Sequence, residues 1–224
     1  MSTSGSIDYS MTAQALATWA LRKVGAVAAV DTPSAEDMRD ALADLNLMLK
    51  SWQVAGPNLF RQTFRSVTLI AATGSYVLSP RPMKVIEARY RDSGGRDLPM
   101  KLLTRQEYVD LPQKSASGTP TQYYVDHQRD SVTLYVWPVR ASVTTETIEM
   151  TVQRVVEDID SQDNDIDIPQ EWFECVGYNL SFRLLERFPN NEAAPLIRAQ
   201  ALSLLAQARD HDREDVVRFE PEWH

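Results

Sequence analysis

The spacing of apolar residues changes period twice along this chain, and that change constrains the fold more than any other feature. From residue 11 to about 56 the apolar positions recur every three or four residues, as in helices packed on one side. From about Phe60 to Val156 they recur every two, as in strands. From about 167 to 209 the helical period returns. A chain with helices at both ends and strands between reads as α+β: four main helices forming a helical bundle, with an antiparallel β-rich unit inserted into it.

The first helix is expected in MTAQALATWALRKVGAV, with Thr12 as N-cap, Leu16, Trp19, Ala20 and Val24 as the apolar stripe, and Gly25 as the stop. The second lies in DTPSAEDMRDALADLNLMLKSWQVAG. Thr32 is placed as its cap and Pro33 in its first turn, with Met38, Leu42, Leu45, Leu49 and Trp52 facing inward. Seven strand segments follow: RSVTLIA, GSYVLS, MKVIEARYRD, DLPMKLL, TQYYVDH, SVTLYVWP and TIEMTVQRVV. SGGRD and DHQRD are read as hairpin turns, and TRQEYVDL as one helical turn capped by Thr104. The third long helix is DIPQEWFECVGYNLSFRLLERF, with Trp172, Val176, Leu180 and Leu184 on one face. The fourth spans about 193–209, with Ile197, Ala201, Leu204 and Ala208. The expected organisation is 1–58 as an N-terminal helical hairpin, 59–157 as the β-rich insertion, 158–209 as helices completing the helical domain, and 210–224 as a charged tail.

Within SVTLYVWP, Val132, Leu134 and Val136 alternate with Thr133, Tyr135 and Trp137. One side supplies a core. The other carries two aromatics where a small domain would leave polar residues, so Tyr135 and Trp137 are candidates for a covered outer face or a subunit interface.

Chemistry-bearing constellations are sparse. His127, His211 and His224 have no partner at metal-ligand or triad spacing. The single cysteine, Cys175, excludes an internal disulfide and has no neighbour in sequence to activate it. EDIDSQDNDIDIP, residues 157–169, resembles a calcium loop only loosely: Asp163 stands where the turn glycine is needed and Pro169 where the bidentate glutamate is. It reads as an acidic linker whose last aspartates favour the N-terminus of the next helix. No catalytic residue, metal site or cofactor is therefore assigned. No stretch reaches the roughly 18 apolar residues of a membrane span, and MSTSGSIDYS lacks a secretion signal, so synthesis in a cytoplasm is expected.

The net charge of −8 is unevenly placed. Residues 57–117 hold ten Lys/Arg and five Asp/Glu, whereas 141–224 hold seven Arg and eighteen Asp/Glu. A basic and an acidic end suit oriented stacking. Overall acidity argues against phosphate-driven DNA binding.

The order of these elements is itself informative. TPSAEDMRDALADLNLMLKSW follows the short first helix. RPMKVIEARYRD, LPMKLLTRQEYVDLPQKSASGTPTQYYVDH and TLYVWPV make up the sheet unit, and DIDIPQEWFECVGYNLSFRLLERF closes it. Over roughly residues 11–188 this resembles the tail accessory factor family of short-tailed bacteriophages, the head-to-tail adaptors. The resemblance implies a virion protein with no enzymatic role. It implies a homo-oligomeric ring, usually of twelve copies, bound beneath the portal protein. The ring would extend the DNA channel without sequence-specific contacts and support the tail nozzle or fibres. By analogy the tail reaches the portal, through Arg213, Val216, Val217, Arg218, Phe219 and Trp223. Two other readings are open. One is a phage-associated cell-wall hydrolase using Glu171 or Glu174. The other is a nucleic-acid-binding module built on Arg65, Arg81, Arg89, Arg91 and Arg96 with Tyr76 and Tyr90.

Overall fold

A computed structural model describes residues 5–54, 59–142, 145–188 and 192–211. The chain divides into two compact units, residues 1–60 with 156–224, and residues 61–155. Among the described residues there are five α-helices and eight strands, an α+β protein.

The first unit contains α1 (Ala13–Lys23), α2 (Ala35–Val54), α4 (Phe173–Leu184) and α5 (Ala194–His211). α4 is the central element, packing against α1, α2 and α5. Its stripe Trp172, Val176, Leu180 and Leu184 is buried with Leu16, Leu21, Leu45, Met48 and Ile197 in one apolar cluster. α4 is shorter than the sequence period suggests. Single 3₁₀ turns, Gln170–Trp172 and Leu185–Arg187, extend it at either end.

Thr12 caps α1 by accepting from the Ala15 N–H at 3.2 Å. α2 begins later than Thr32 and Pro33 predict. Ser34 is the cap: its Oγ accepts from the Asp37 N–H at 3.1 Å and donates to the Asp37 carboxylate at 2.7 Å. The Ser34/Asp37 spacing satisfies two groups at once, which Thr32 cannot do from two residues upstream. Trp19 keeps its place on the α1 stripe, half-buried and packed against the core. It lies against the missing side chain of Gly177 in α4 and edge-on to Tyr178 at 5.2 Å.

The acidic segment, residues 157–169, has a second use that its composition does not show. Its carbonyls at Asn164 and Gln162 accept from the Ala13 and Gln14 N–H groups, so it closes the N-terminus of α1. α2 holds its start in place. Asn46 donates to the Ile159 carbonyl at 2.9 Å and accepts from the Ile159 N–H at 3.0 Å, and Lys50 donates to the Val156 carbonyl at 2.8 Å.

The second unit is two four-stranded sheets whose inner faces share one core. β1 (Gln62–Thr68), β8 (Thr147–Gln153), β3 (Lys84–Arg91) and β4 (Asp97–Pro99) form one sheet in that order. β2 (Ser75–Leu78), β7 (Val132–Trp137), β6 (Gln122–His127) and β5 (Lys101–Leu102) form the other. The segment DLPMKLL is not one strand. At the buried Met100 the chain passes between sheets: β4 pairs antiparallel with β3, and β5 pairs parallel with β6. The second sheet is therefore mixed. In MKVIEARYRD a bulge between Val85 and Glu87 shifts the register, so that Val85, Ala88 and Tyr90 all point inward. Both expected turns form. Gly95 takes φ +82 in the β3–β4 turn, and the Gln128 N–H donates to the Ser131 carbonyl between β6 and β7.

A polar cross-link holds the loop entering β8. Arg140 pairs with the buried Glu146 at 2.5 Å, beside the buried Tyr90. The Arg140 guanidinium holds the Glu146 carboxyl below its ordinary value, while burial and the nearby Glu146 carboxylate push the Tyr90 hydroxyl up.

Candidate functional site

β7 turns Val132, Leu134 and Val136 into the core, at 0, 0 and 2% exposure. Its other face meets a short helix. α3 (Arg105–Val109) follows β5 and is held by a capping box: Thr104 Oγ1 accepts from the Glu107 N–H at 3.2 Å, and Glu107 Oε2 accepts from the Thr104 N–H at 2.7 Å. Lys101 adds an ion pair to Glu107 at 3.3 Å. The box brings Tyr108 down onto the outer face of the sheet.

There Tyr124 and Tyr135 are direct cross-strand partners, with ring centroids 5.8 Å apart. The Tyr108 ring lies 5.1 Å from each. Such pairs add stabilisation beyond burial alone. Burial raises the hydroxyl pKa of Tyr108 and of Tyr124, so both stay neutral near pH 7. Trp137 is half-buried, and its Nε1–H donates to the Gln113 carbonyl at 2.9 Å. The irregular loop after α3 is strapped to the end of β7 by this bond and by the backbone bonds Gly118 to Val139 and Val139 to Ala116.

Thus Tyr135 and Trp137 lie against other elements of their own unit, with part of each ring open. Tyr108 and Tyr124 complete the cluster and were not singled out from sequence. The signal for Tyr124 is the alternation in TQYYVDH, which places it on the face opposite the buried Tyr123. Nothing local marks Tyr108. The tail residues Arg213, Val216, Val217, Arg218, Phe219 and Trp223, and with them His224, lie outside the described residues.

The chemistry-bearing side chains are dispersed. No group of three or more His, Cys, Asp or Glu among the described residues is placed to hold a metal ion. The Cys175 thiol is buried and pushed up to about 12, chiefly by desolvation, so it is protonated and unreactive near neutrality. Glu171 and Glu174 stand exposed at the start of α4. His127 is exposed at the end of β6. Three of the five arginines proposed as a stacking platform are engaged: Arg65 donates to the Pro80 carbonyl at 2.5 Å, Arg89 pairs with Glu87 at 2.6 Å, and Arg91 with Asp97 at 2.7 Å. Tyr76 and Tyr90 point into the core and offer no face to a base. Among the described residues no helix is long and apolar enough to cross a membrane.

What the surface does offer is unpaired apolar area on helices. Leu47 and Val54 of α2 are 63 and 78% exposed, and Leu196 and Leu202 of α5 are 71 and 52% exposed. A groove of about 690 Å³ runs beside α5, lined by Phe182, Leu185, Pro195, Ala199, Leu202 and flanking arginines. No curated protein matches the chain. The model of the SU10 adaptor protein family matches residues 8–219, nearly the whole length. The chain belongs to the SU10 adaptor protein family, a family of structural adaptors of bacteriophages.

Proposed function

We propose that this virion component is a head-to-tail adaptor of a short-tailed phage, of the tail accessory factor type, acting as a ring of identical copies beneath the portal. The family match carries the reading. The exposed apolar helix faces support it, because a ring of identical subunits needs two different surfaces that meet across each contact. In this reading the four main helices act as a bundle that carries the contacts, and the sheet unit is a domain of its own. The open parts of Tyr135 and Trp137 contribute to a contact with the neighbouring subunit. Arg213, Val216, Val217, Arg218, Phe219 and Trp223 engage the portal. The ring, of twelve copies in similar adaptors, extends the DNA channel, helps retain the genome and presents a lower surface to the nozzle or fibres. A chain of net charge −8 repels DNA and lets it slide.

Electron microscopy of the purified protein mixed with the portal of its phage tests this. A ring of added density on the portal is expected. Bare portals beside monomers would overturn it. Peptidoglycan zymography separates the hydrolase alternative: a clear zone lost on Glu171→Gln would revive it.

A further inference from the structure

α5 is apolar on two sides. Ile197 and Ala201 face α4 and are buried. Pro195, Ala199, Leu202 and Ala206 form a second stripe, and all four are exposed. Their spacing is i, i+4, i+7, i+11, a heptad pattern. An apolar second face on a helix already packed by its first is expected where another helix covers it.

α2 carries a stripe of the same spacing. Ala43, Leu47 and Val54 are exposed, with Lys50 between them at the half-exposed third position. One turn N-terminal to Ala43 stands Asp40, in the acidic first half of α2 beside Glu36 and Asp37; one of its oxygens pairs with Arg187 of its own chain, and its side chain remains 35% exposed. One turn C-terminal to Ala206 stands Arg209, in the basic last turn of α5. The two stripes thus end in opposite charges.

We infer that α2 of one copy packs antiparallel against the outer face of α5 of a neighbouring copy, joining adjacent subunits. The register is set by the matched spacing. Leu47 faces Leu202, Ala43 faces Ala206, Val54 enters the α4–α5 groove at Pro195, and Asp40 meets Arg209. The Ala43/Ala206 pair lets the helices approach closely on one side of the leucines; on the other Lys50 lies against Ala199, its ammonium turned to the Val156 carbonyl and Asp158 of its own chain; the shared 3–4 spacing suits a shallow crossing of about 20°. The antiparallel sense also sets the positive end of α2 beside the negative end of α5. The parallel alternative would bring Asp40 towards the N-terminal end of α5 and leave Arg209 beyond the apolar stripe. The contact is heterologous, using different surfaces of one chain, as a closing ring requires. A second copy is favoured as occupant because both halves of the complementary pair are present on the same chain.

This inference rests on the adaptor reading and deepens it. Full-length chains bearing single cysteines test it, joined by a short bismaleimide. Cys175 is 2% exposed and stays out of the reaction. Mixing Leu47→Cys with Leu202→Cys chains should give a covalent dimer well above the yield of either alone, and Ala43→Cys with Ala206→Cys should do the same. Ala43→Cys with Pro195→Cys, the parallel pairing, should stay at background. Equal yields in the antiparallel and parallel mixtures, or no dimer in either antiparallel mixture, overturn the pairing. The adaptor reading survives that result, since it stands or falls on density at the portal.

Discussion

Gly177→Ala is a substitution whose sign the sequence alone predicts wrongly. Gly177 sits in the middle of α4, where alanine ordinarily stabilises a helix by about 1 kcal/mol. The tertiary structure opposes this. A Cβ at position 177 would lie 2.5 Å from Cζ3 of Trp19, 2.8 Å from Cε3 and 3.3 Å from Cη2. Ordinary carbon–carbon contact is about 3.5–4.0 Å, so the ring must retreat by about 1 Å. An indole is rigid, and this one is held edge-on by Tyr178 with the Lys23 ammonium 5.0 Å from its ring. Overpacking of this kind costs about 1–3 kcal/mol, and so severe an overlap belongs at the upper end. Net destabilisation of about 1–2 kcal/mol is expected, or a fall in Tm of roughly 2–8 °C. Differential scanning calorimetry reads it directly. In a Trp19→Leu background the obstruction is gone, and the same Gly177→Ala change should stabilise by the helix-propensity term. The test is that reversal of sign. A rise in Tm on Gly177→Ala in the native background, or the same shift in both backgrounds, would refute the packing argument.

Asn46→Ala removes both bonds to Ile159 and leaves a partly buried backbone pair without its partner. Loss of about 1–3 kcal/mol is expected by urea denaturation. Because Glu146 titrates below its ordinary value in the folded state, its contribution is present above about pH 4.5 and is lost as pH falls through the lowered value. Glu146→Gln should therefore lower stability at pH 7 and flatten the acid limb of a Tm-versus-pH series; an unchanged acid limb would remove Glu146 from the account. Thr104→Ala breaks the capping box and should cost about 1 kcal/mol. Near-ultraviolet circular dichroism should show the tyrosine cluster loosening, and an unchanged aromatic signal would mean that Tyr108 is held by something other than the cap.

Most elements were legible in the sequence because their causes are local. Thr12 followed by an apolar stripe, Thr104 as the cap of a single helical turn, and the alternation of β7 each act within a few residues, and each forms as expected. Membership of a phage adaptor family was legible too, through the order of helix, sheet unit and helix. Contacts between distant segments were not. The sequence shows an acidic stretch at 157–167 but not that its carbonyls close α1, about 150 residues earlier. Tyr135 is visible as an outward aromatic, but Tyr108 reaches it only because β5 joins β6 in parallel and sets α3 over the sheet. Gly177 reads as a weak point in a helix until Trp19 arrives from α1 to use the space. Periodicity and capping energies depend on near neighbours and are written in local order; which face covers which depends on how the whole chain closes, and only the tertiary structure decides that.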